Sequence, residues 1–122
     1  MGAPGPGYYF RGTSILPATP SGEKSLSSLI YTGKCLLTGI KIVTNGTNDA
    51  TVEIYDNTEA SGTKVDKFVV SGDENYGGAI YGKSPIMMST GIYVTLSGTG
   101  ANFFVFYFMG RIDSVNNDWG TW

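Results

Sequence analysis

The sequence contains no histidine and a single cysteine, Cys35, among its 122 residues. The absence of histidine removes the most common general base and the most common metal ligand. One cysteine can form neither an internal disulfide nor half of a zinc site, and Cys35 is expected to be a small buried side chain on a strand. A Ser-His-Asp triad, a Cys-His pair and a histidine-based zinc site are therefore excluded within one chain.

Charge and long apolar runs are also scarce. Charged residues make up 15% of the chain, against about 25% in a typical domain, and the net charge is −2. The basic residues are scattered, so they form no phosphate-binding footprint and no nucleic-acid partner is expected. No apolar run approaches the ~18 residues of a spanning helix, and the first residues do not resemble a signal peptide, so no membrane partner is expected.

Glycine and aromatic residues are abundant instead: the chain has 18 glycines and is 13% aromatic, a mixture that favours sheets and turns. From Leu26 onward the apolar residues follow the period of strands. The predicted strands are Leu36–Thr44, Ala50–Asp56, Thr63–Val70, Ile92–Ser97 and Asn102–Met109. Ile80–Met88 contains Pro85, which predicts an edge strand or an irregular crossing. A short helix is conceivable over Glu23–Tyr31, although its serines disfavour one.

An internal echo links two parts of the chain. Gly39–Thr47 reads like Gly91–Thr99, at a constant offset of 52 residues, and each is followed by a further strand. One interpretation is that all hairpins resemble each other. The other is that two equivalent hairpins lie on the two sheets of a sandwich. Short strands with turn signals every ~8–12 residues already favour that architecture.

These patterns predict an all-β fold with one domain. The fold class is a single antiparallel β-sandwich, jelly-roll-like, over residues 23–112. An extended N-terminal arm is predicted over residues 1–22 and a short C-terminal tail over residues 113–122.

Both terminal segments carry aromatic anchors. The arm is broken by prolines and glycines, yet it contains Tyr8, Tyr9 and Phe10, which a solvated linker would not need. The tail ends with Trp119 and Trp122. We expect the arm to dock on a partner and the tryptophans to anchor the tail, with sugar stacking as an alternative role for them.

The last predicted strand is apolar on both of its faces. Phe104, Phe106 and Phe108 share one face. The other face consists of Phe103, Val105, Tyr107 and Met109. If the first set fills the core, the second set must be covered by the arm, by the tail or by another subunit, since an uncovered strand of this kind invites aggregation. The second set is therefore our candidate interface.

Little in the sequence points to catalysis. The nearest candidates for a pair of catalytic carboxylates are Asp73 with Glu74 and Glu53 with Asp56, but adjacent residues such as Asp73 and Glu74 usually project apart. Lys41 lies mid-strand between isoleucines, and its side chain is expected on a solvated outer face. We expect neither enzymatic activity nor a cofactor nor a required metal.

Two stretches carry a resemblance. Cys35–Gly62 contains an Asn-Gly-Thr-Asn turn and a Thr-Val-Glu-Ile-Tyr-Asp strand, and Ala-Ser-Gly-Thr-Lys follows. This stretch, together with Gly91–Gly100 and the apolar strand after it, resembles small β-sandwich virion proteins of tailed bacteriophages. Proteins of that group decorate or cement capsids, or form fibre and connector parts, commonly as trimers.

The resemblance implies a structural role in the virion. The expected function is a homo-oligomeric capsid decoration or cement protein, with a trimer favoured and the major capsid protein or another virion protein as partner. One alternative is a tail, neck or fibre component of the same virion. The other is a carbohydrate-binding module, which would display Trp119, Trp122 or tyrosines on a flat exposed face.

Overall fold

A computed structural model describes residues 18–109, which are built from strands and one short 3-10 turn, Gly72–Glu74. The strands of this described part are β1 (Thr19–Pro20), β2 (Ser28–Thr32), β3 (Cys35–Val43), β4 (Ala50–Tyr55), β5 (Lys64–Val70), β6 (Tyr76–Ile80), β7 (Ile86–Met88), β8 (Gly91–Ser97) and β9 (Asn102–Phe108). The all-β prediction is confirmed.

The strands form two antiparallel sheets. Sheet A has the order β1, β9, β3, β6, and β7 also pairs with β3. Sheet B has the order β2, β8, β4, β5. The two sheets face each other across one hydrophobic core, so the described chain is a sandwich-like all-β domain.

The core is filled by alternate residues of the central strands. Val52 and Ile54 of β4 and Ile92 and Val94 of β8 point inward from sheet B, and all four are fully buried. The inward residues of sheet A are Cys35, Leu37, Ile40 and Ile42 of β3, Met88 of β7, and Phe103, Val105 and Tyr107 of β9. Polar or amphipathic residues alternate with the apolar ones in β4, so the sequence alone identifies the inward face of this strand correctly.

A bulge in β3 changes which residues face the core. The pairing of β3 with β9 shifts register between Leu37 and Gly39. The Thr38 hydroxyl donates a hydrogen bond to the carbonyl oxygen of Phe106 at 2.9 Å across this irregularity. As a result Leu37 and Ile40, three positions apart, both point inward.

The first strands differ from the sequence prediction. Glu23–Tyr31 forms no helix: Ser28–Thr32 is β2, which pairs with β8. Lys24 forms a bridge with Phe103 instead. Thr19–Pro20, which the sequence assigns to the arm, is a strand of sheet A beside β9. Pairing with distant strands has overridden a weak local preference.

The two echo segments are not hairpins, which corrects the prediction. β3 belongs to sheet A and β4 to sheet B, while β8 belongs to sheet B and β9 to sheet A. After the first echo segment the chain passes from sheet A to sheet B, and after the second it passes from sheet B to sheet A. The resulting neighbours are β3 with β9 and β4 with β8.

The turns and the Pro85 segment agree with their sequence signals. The Asn45 side chain accepts hydrogen bonds from the backbone N–H groups of Thr47 and Asn48, which closes the turn after β3. Pro85 lies between β6 and β7, so the predicted irregular crossing is found there.

Candidate interaction surface

The outward side of sheet A is apolar across its width. We call this surface the aromatic face. Its members are Lys41 and Val43 of β3, Tyr76 and Ile80 of β6, Met87 of β7, Phe104, Phe106 and Phe108 of β9, and also Leu36 of β3, which points outward but is buried. The pairing register brings them into rows, because residues opposite each other on adjacent strands share a face.

One row is built around a glycine. Phe106 is opposite Gly39, and Gly39 is opposite Ile80 on the next strand. A Cβ at Gly39 would lie 2.6 Å from Cδ1 of Ile80, so the isoleucine side chain occupies the space that the glycine leaves. The row Phe106–Gly39–Ile80 is therefore continuous apolar surface.

A second row contains a charge. Among the described members of the aromatic face, Lys41 is the only charged side chain, and it lies opposite Phe104. Its amine is 5.6 Å from the centre of the Tyr76 ring, within the range of a cation–π contact. Lys41 is exposed, which confirms its predicted outer position.

The exposure of this face is unusual for large apolar side chains. Ile80 is 72% exposed, Tyr76 66% and Met87 64%. Phe104 and Phe106, on the other side of β3, are partly buried. Contiguous exposed apolar side chains of this kind can form an interaction site.

The outward side of sheet B is mostly polar, with Leu29 and Val69 as exposed apolar side chains. We call it the polar face. Its members are Leu29 of β2, Thr51, Glu53 and Tyr55 of β4, Lys64, Lys67 and Val69 of β5, and Tyr93, Thr95 and Ser97 of β8. Both lysines contact the carboxylate of Glu53, at 2.9 Å from Lys64 and 3.7 Å from Lys67.

Glu53 organises the polar face. Lys64 and the Tyr55 hydroxyl both donate hydrogen bonds to its carboxylate. The hydrogen bond from Lys64, then that from Tyr55, lowers the pKa of Glu53 below its ordinary value. The same hydrogen bonds raise the pKa of Lys64 and of Tyr55. These groups form a partly solvated ion-pair cluster at the surface.

The candidate interface read from β9 has to be corrected. Phe103, Val105 and Tyr107 point into the core, and Phe104, Phe106 and Phe108 point outward, which is the reverse of the arrangement assumed for that prediction. Phe103 and Val105 are fully buried within one chain, so they contribute no subunit surface.

Met109 is exposed at the end of the described chain. The other predicted interface residues lie outside the described residues: Tyr8, Tyr9, Phe10, Trp119 and Trp122.

Sequence reasoning missed the outward phenylalanines although one signal was available. Asn102 is the polar residue of β9, and it has the same parity as Phe104 and Phe106. A polar residue at that parity places the phenylalanines on the outer face. No comparable signal exists for Ile80 and Met87, because they join the aromatic face only through the pairing of β6 and β7 with β3.

Asp56 serves the structure by tying two loops together. Its carboxylate accepts hydrogen bonds from the backbone N–H groups of Ser89, Thr90 and Gly91 and from the Ser89 hydroxyl, at 2.8–3.3 Å. Burial alone would raise the pKa of Asp56, but these hydrogen bonds outweigh it and lower the pKa. A carboxylate whose two oxygens accept these hydrogen bonds is stabilised in its ionised form, and both oxygens are already engaged.

The other perturbed groups are also structural. Burial, and secondarily the charge of Asp56, raises the pKa of the Cys35 thiol to about 12, so it is not a nucleophile near neutral pH. Burial and a 2.7 Å hydrogen bond to Asp66 raise the pKa of Tyr81. Neither group has the depressed pKa that an activated nucleophile requires.

Within residues 18–109, no group of three or more cysteine or acidic side chains is arranged to hold a metal ion. The described strands and turns include no helix long and apolar enough to cross a membrane. Comparisons of the chain with protein-family models, with curated proteins and with solved structures find no match.

Proposed function

We propose that the chain is a structural virion protein that forms homo-oligomers and decorates or cements a phage capsid. The observation that supports this most is the aromatic face of sheet A. A sandwich of this size needs one apolar side per sheet to fold, and the second apolar side of sheet A is surplus to folding. Surplus apolar surface is the usual material of a protein–protein interface.

We also propose that the sandwich is a jelly roll. The strand order supports this assignment: the first, ninth, third and sixth strands share one sheet, and the second, eighth, fourth and fifth share the other. Two interleaved Greek keys produce this order, with β7 as an addition beside β3. Jelly rolls are common among capsid proteins, which agrees with the proposed role but does not identify it.

Association on the aromatic face would depend on apolar area rather than on charge. Lys41 is the only charged side chain among the described members of the face, and it already contacts Tyr76. We propose that copies of the chain associate with one another, as a trimer, and that the assembly contacts the major capsid protein or another virion protein. The proposed location is the virion.

Catalysis has no place in this proposal. The perturbed titratable groups of the described chain are engaged in structure: Asp56 closes loops, Glu53 holds two lysines, and Tyr81 binds Asp66. We propose that the protein works without a cofactor or a required metal.

The test is a matched pair of charge substitutions. Ile80→Lys places a charge on the aromatic face, and Val69→Lys places one on the polar face at an almost equally exposed position, 66% against 72%. Sedimentation velocity should show an oligomer for the unmodified chain and for Val69→Lys. Ile80→Lys should weaken association about tenfold or more, since burying an isoleucine contributes about 1.5–3 kcal/mol.

Copy number in purified particles then tests the location. Hundreds of copies per particle, by quantitative mass spectrometry, support decoration of the capsid. A dozen or fewer would replace that role with a tail, neck or fibre position in the same virion. A chain that is monomeric at all concentrations and absent from particles contradicts the proposal.

One observation favours carbohydrate binding as a second candidate. Tyr55 and Tyr93 lie directly opposite each other on the polar face, where their rings could stack on a sugar. The Lys64 amine already lies 5.7 Å from the centre of the Tyr55 ring, so a sugar would have to displace it. Glycan binding that is lost in Tyr93→Ala and retained in Ile80→Lys would favour this candidate.

A further inference from the structure

The described chain begins at one end of the aromatic face. β1 runs antiparallel to β9, with Thr19 opposite Tyr107 and Pro20 opposite Phe106. Moving backward along the chain from Thr19 therefore leads toward Phe108, the last residue of β9. The segment that precedes residue 18 is attached at this corner of sheet A.

The composition of that segment matches the aromatic face. Residues 8–16 include Tyr8, Tyr9, Phe10, Ile15 and Leu16, with Arg11 as their charged side chain. The other segment outside the described residues, 110–122, contains two aspartates and Arg111. Placing carboxylates on an apolar surface costs free energy, so residues 8–16 suit the face better.

The size of the face also favours a chain segment over a flat contact between two sheets. Strand spacing and rise give a projected area of roughly 200 Å², against about 800 Å² that each partner contributes to a stable complex. Nine extended residues span about 30 Å, which is enough to cross the face in any direction.

The direction of the chain points to a second copy. Leu16 and Thr19 each precede a proline, and residues before proline favour an extended backbone. In the described residues the chain runs backward from Pro20 to Thr19 towards Phe108, so it leaves sheet A at the end of β9. We propose that residues 8–16 of one copy lie across the aromatic face of a second copy. This inference rests on the proposed homo-oligomer and names the contact that holds it together.

Cysteine cross-linking between two differently sized full-length chains tests the proposal. One chain carries Tyr9→Cys and the other, lengthened by a tag, carries Met87→Cys on the aromatic face. The control pairs Tyr9→Cys with Val69→Cys on the polar face, where exposure is 66% against 64% at Met87. The native Cys35 can remain because it is buried within the core. The two chains are mixed, oxidised mildly and separated by size without reductant.

The expected result is a disulfide between the two different chains, at a yield about tenfold higher with Met87→Cys than with Val69→Cys, since the docked segment has a high effective concentration. Three results would overturn the proposal: equal yields from the two positions, a Tyr9–Met87 disulfide formed only inside a doubly substituted chain, or a Trp119→Cys chain that links to Met87→Cys while Tyr9→Cys does not. Sedimentation of the unmodified chain separates the two claims. An oligomer without the cross-link contradicts only the arm contact, and a monomer contradicts the proposed function as well.

Discussion

The two outer faces of this protein differ in what they present to their surroundings. The polar face of sheet B has Glu53 at its centre, with Lys64 and Lys67 in contact with its carboxylate. The aromatic face of sheet A has Phe106 and Ile80 in the corresponding central row. Both sheets bury the same kind of side chain on their inner faces, so the difference is not required by the core.

Strands β4 and β9 show which outward residues a strand of this fold needs and which it does not. β4 alternates between buried apolar residues and polar or amphipathic ones such as Glu53, which is enough to hold a strand in a two-sheet fold. β9 is apolar at nearly every position. The outward phenylalanines Phe104 and Phe106 leave partly exposed apolar surface on sheet A, which agrees with the association proposed above.

The largest effect should separate the inner and outer sides of β9 itself. Val105→Asp places a carboxylate at a fully buried position, and the resulting unpaired charge should remove several kcal/mol, most or all of the ~5–15 kcal/mol that stabilise a domain. Phe106→Asp, one residue along, faces outward and is partly buried, so the variant should remain folded. Urea denaturation followed by circular dichroism measures both.

Phe106→Asp should reduce self-association even though it leaves the chain folded. The folded Phe106→Asp protein should sediment as a smaller species than the unmodified chain, because its charge disrupts the aromatic face. If Phe106→Asp unfolds as readily as Val105→Asp, the outer side of β9 belongs to the folding core and the contrast between the two faces is lost.

Much of the fold could be predicted from sequence because the strands carry local signals. Ala50–Tyr55 alternates strictly, and the structure has β4 at those residues. The turn at Asn45 is closed by its own side chain, as its sequence indicates. These features depend on neighbouring residues alone, so no knowledge of the fold is needed to find them.

Local signals do not determine which face of β9 is buried. They also do not determine whether the strand after each echo segment returns to the same sheet. Where both faces of a strand are apolar, alternation does not say which is buried, and the choice depends on Asn102 and on the pairing with β3. A turn sequence likewise does not say whether the next strand returns to the same sheet. β4 in fact lies in the opposite sheet from β3.

The sequence identified β9 as part of the candidate surface, but it did not identify which residues of β9 face outward or which other strands contribute. An apolar partner surface was expected on β9, and the residues assigned to it were those of the wrong parity. Tyr76, Ile80 and Met87 come from segments about 15 or more residues away from β9 in sequence, and only the pairing of β6 and β7 with β3 brings them onto the same face. Such a surface is a property of the sheet and not of any one strand.

A substitution of intermediate effect on stability should be that of Asp56, which connects the two sheets. It follows β4 of sheet B and binds the loop that leads from β7 of sheet A to β8. Asp56→Asn removes the charge and disturbs hydrogen bonds to Ser89, Thr90 and Gly91, and should cost about 1–2 kcal/mol at neutral pH, since part of the group is solvated. Chemical denaturation measures this cost.

The pH dependence of that cost has a defined sign. Because the pKa of Asp56 is lowered in the folded protein, its stabilisation is complete above the ordinary aspartate pKa and is lost as the pH falls through the folded value. The stability gap between the unmodified chain and Asp56→Asn should therefore close in acid. Asp73→Asn is the control, since Asp73 is exposed and accepts a hydrogen bond from the Ser71 hydroxyl at the surface. A gap that persists in acid would mean that the effect of Asp56→Asn is not one of charge.

The smallest effect should come from the polar face, and it completes the comparison. Glu53→Gln keeps an acceptor for Lys64 and Tyr55 but removes the ion pair, so stability should fall only slightly and the difference should shrink as salt screens the lysines. Because the pKa of Glu53 is lowered, the contribution of the ion pair is present above the ordinary glutamate pKa and disappears as the pH falls through the folded value. Association through the aromatic face should not follow this titration, because Glu53 lies on the opposite sheet and the described members of the aromatic face include no carboxylate. Denaturation and sedimentation are therefore measured together on the unmodified chain, on Glu53→Gln and on Glu59→Gln, an exposed glutamate control. An oligomer that dissociates in Glu53→Gln at neutral pH, while Glu59→Gln remains assembled, would place the partner on the polar face and reverse the roles assigned to the two sheets.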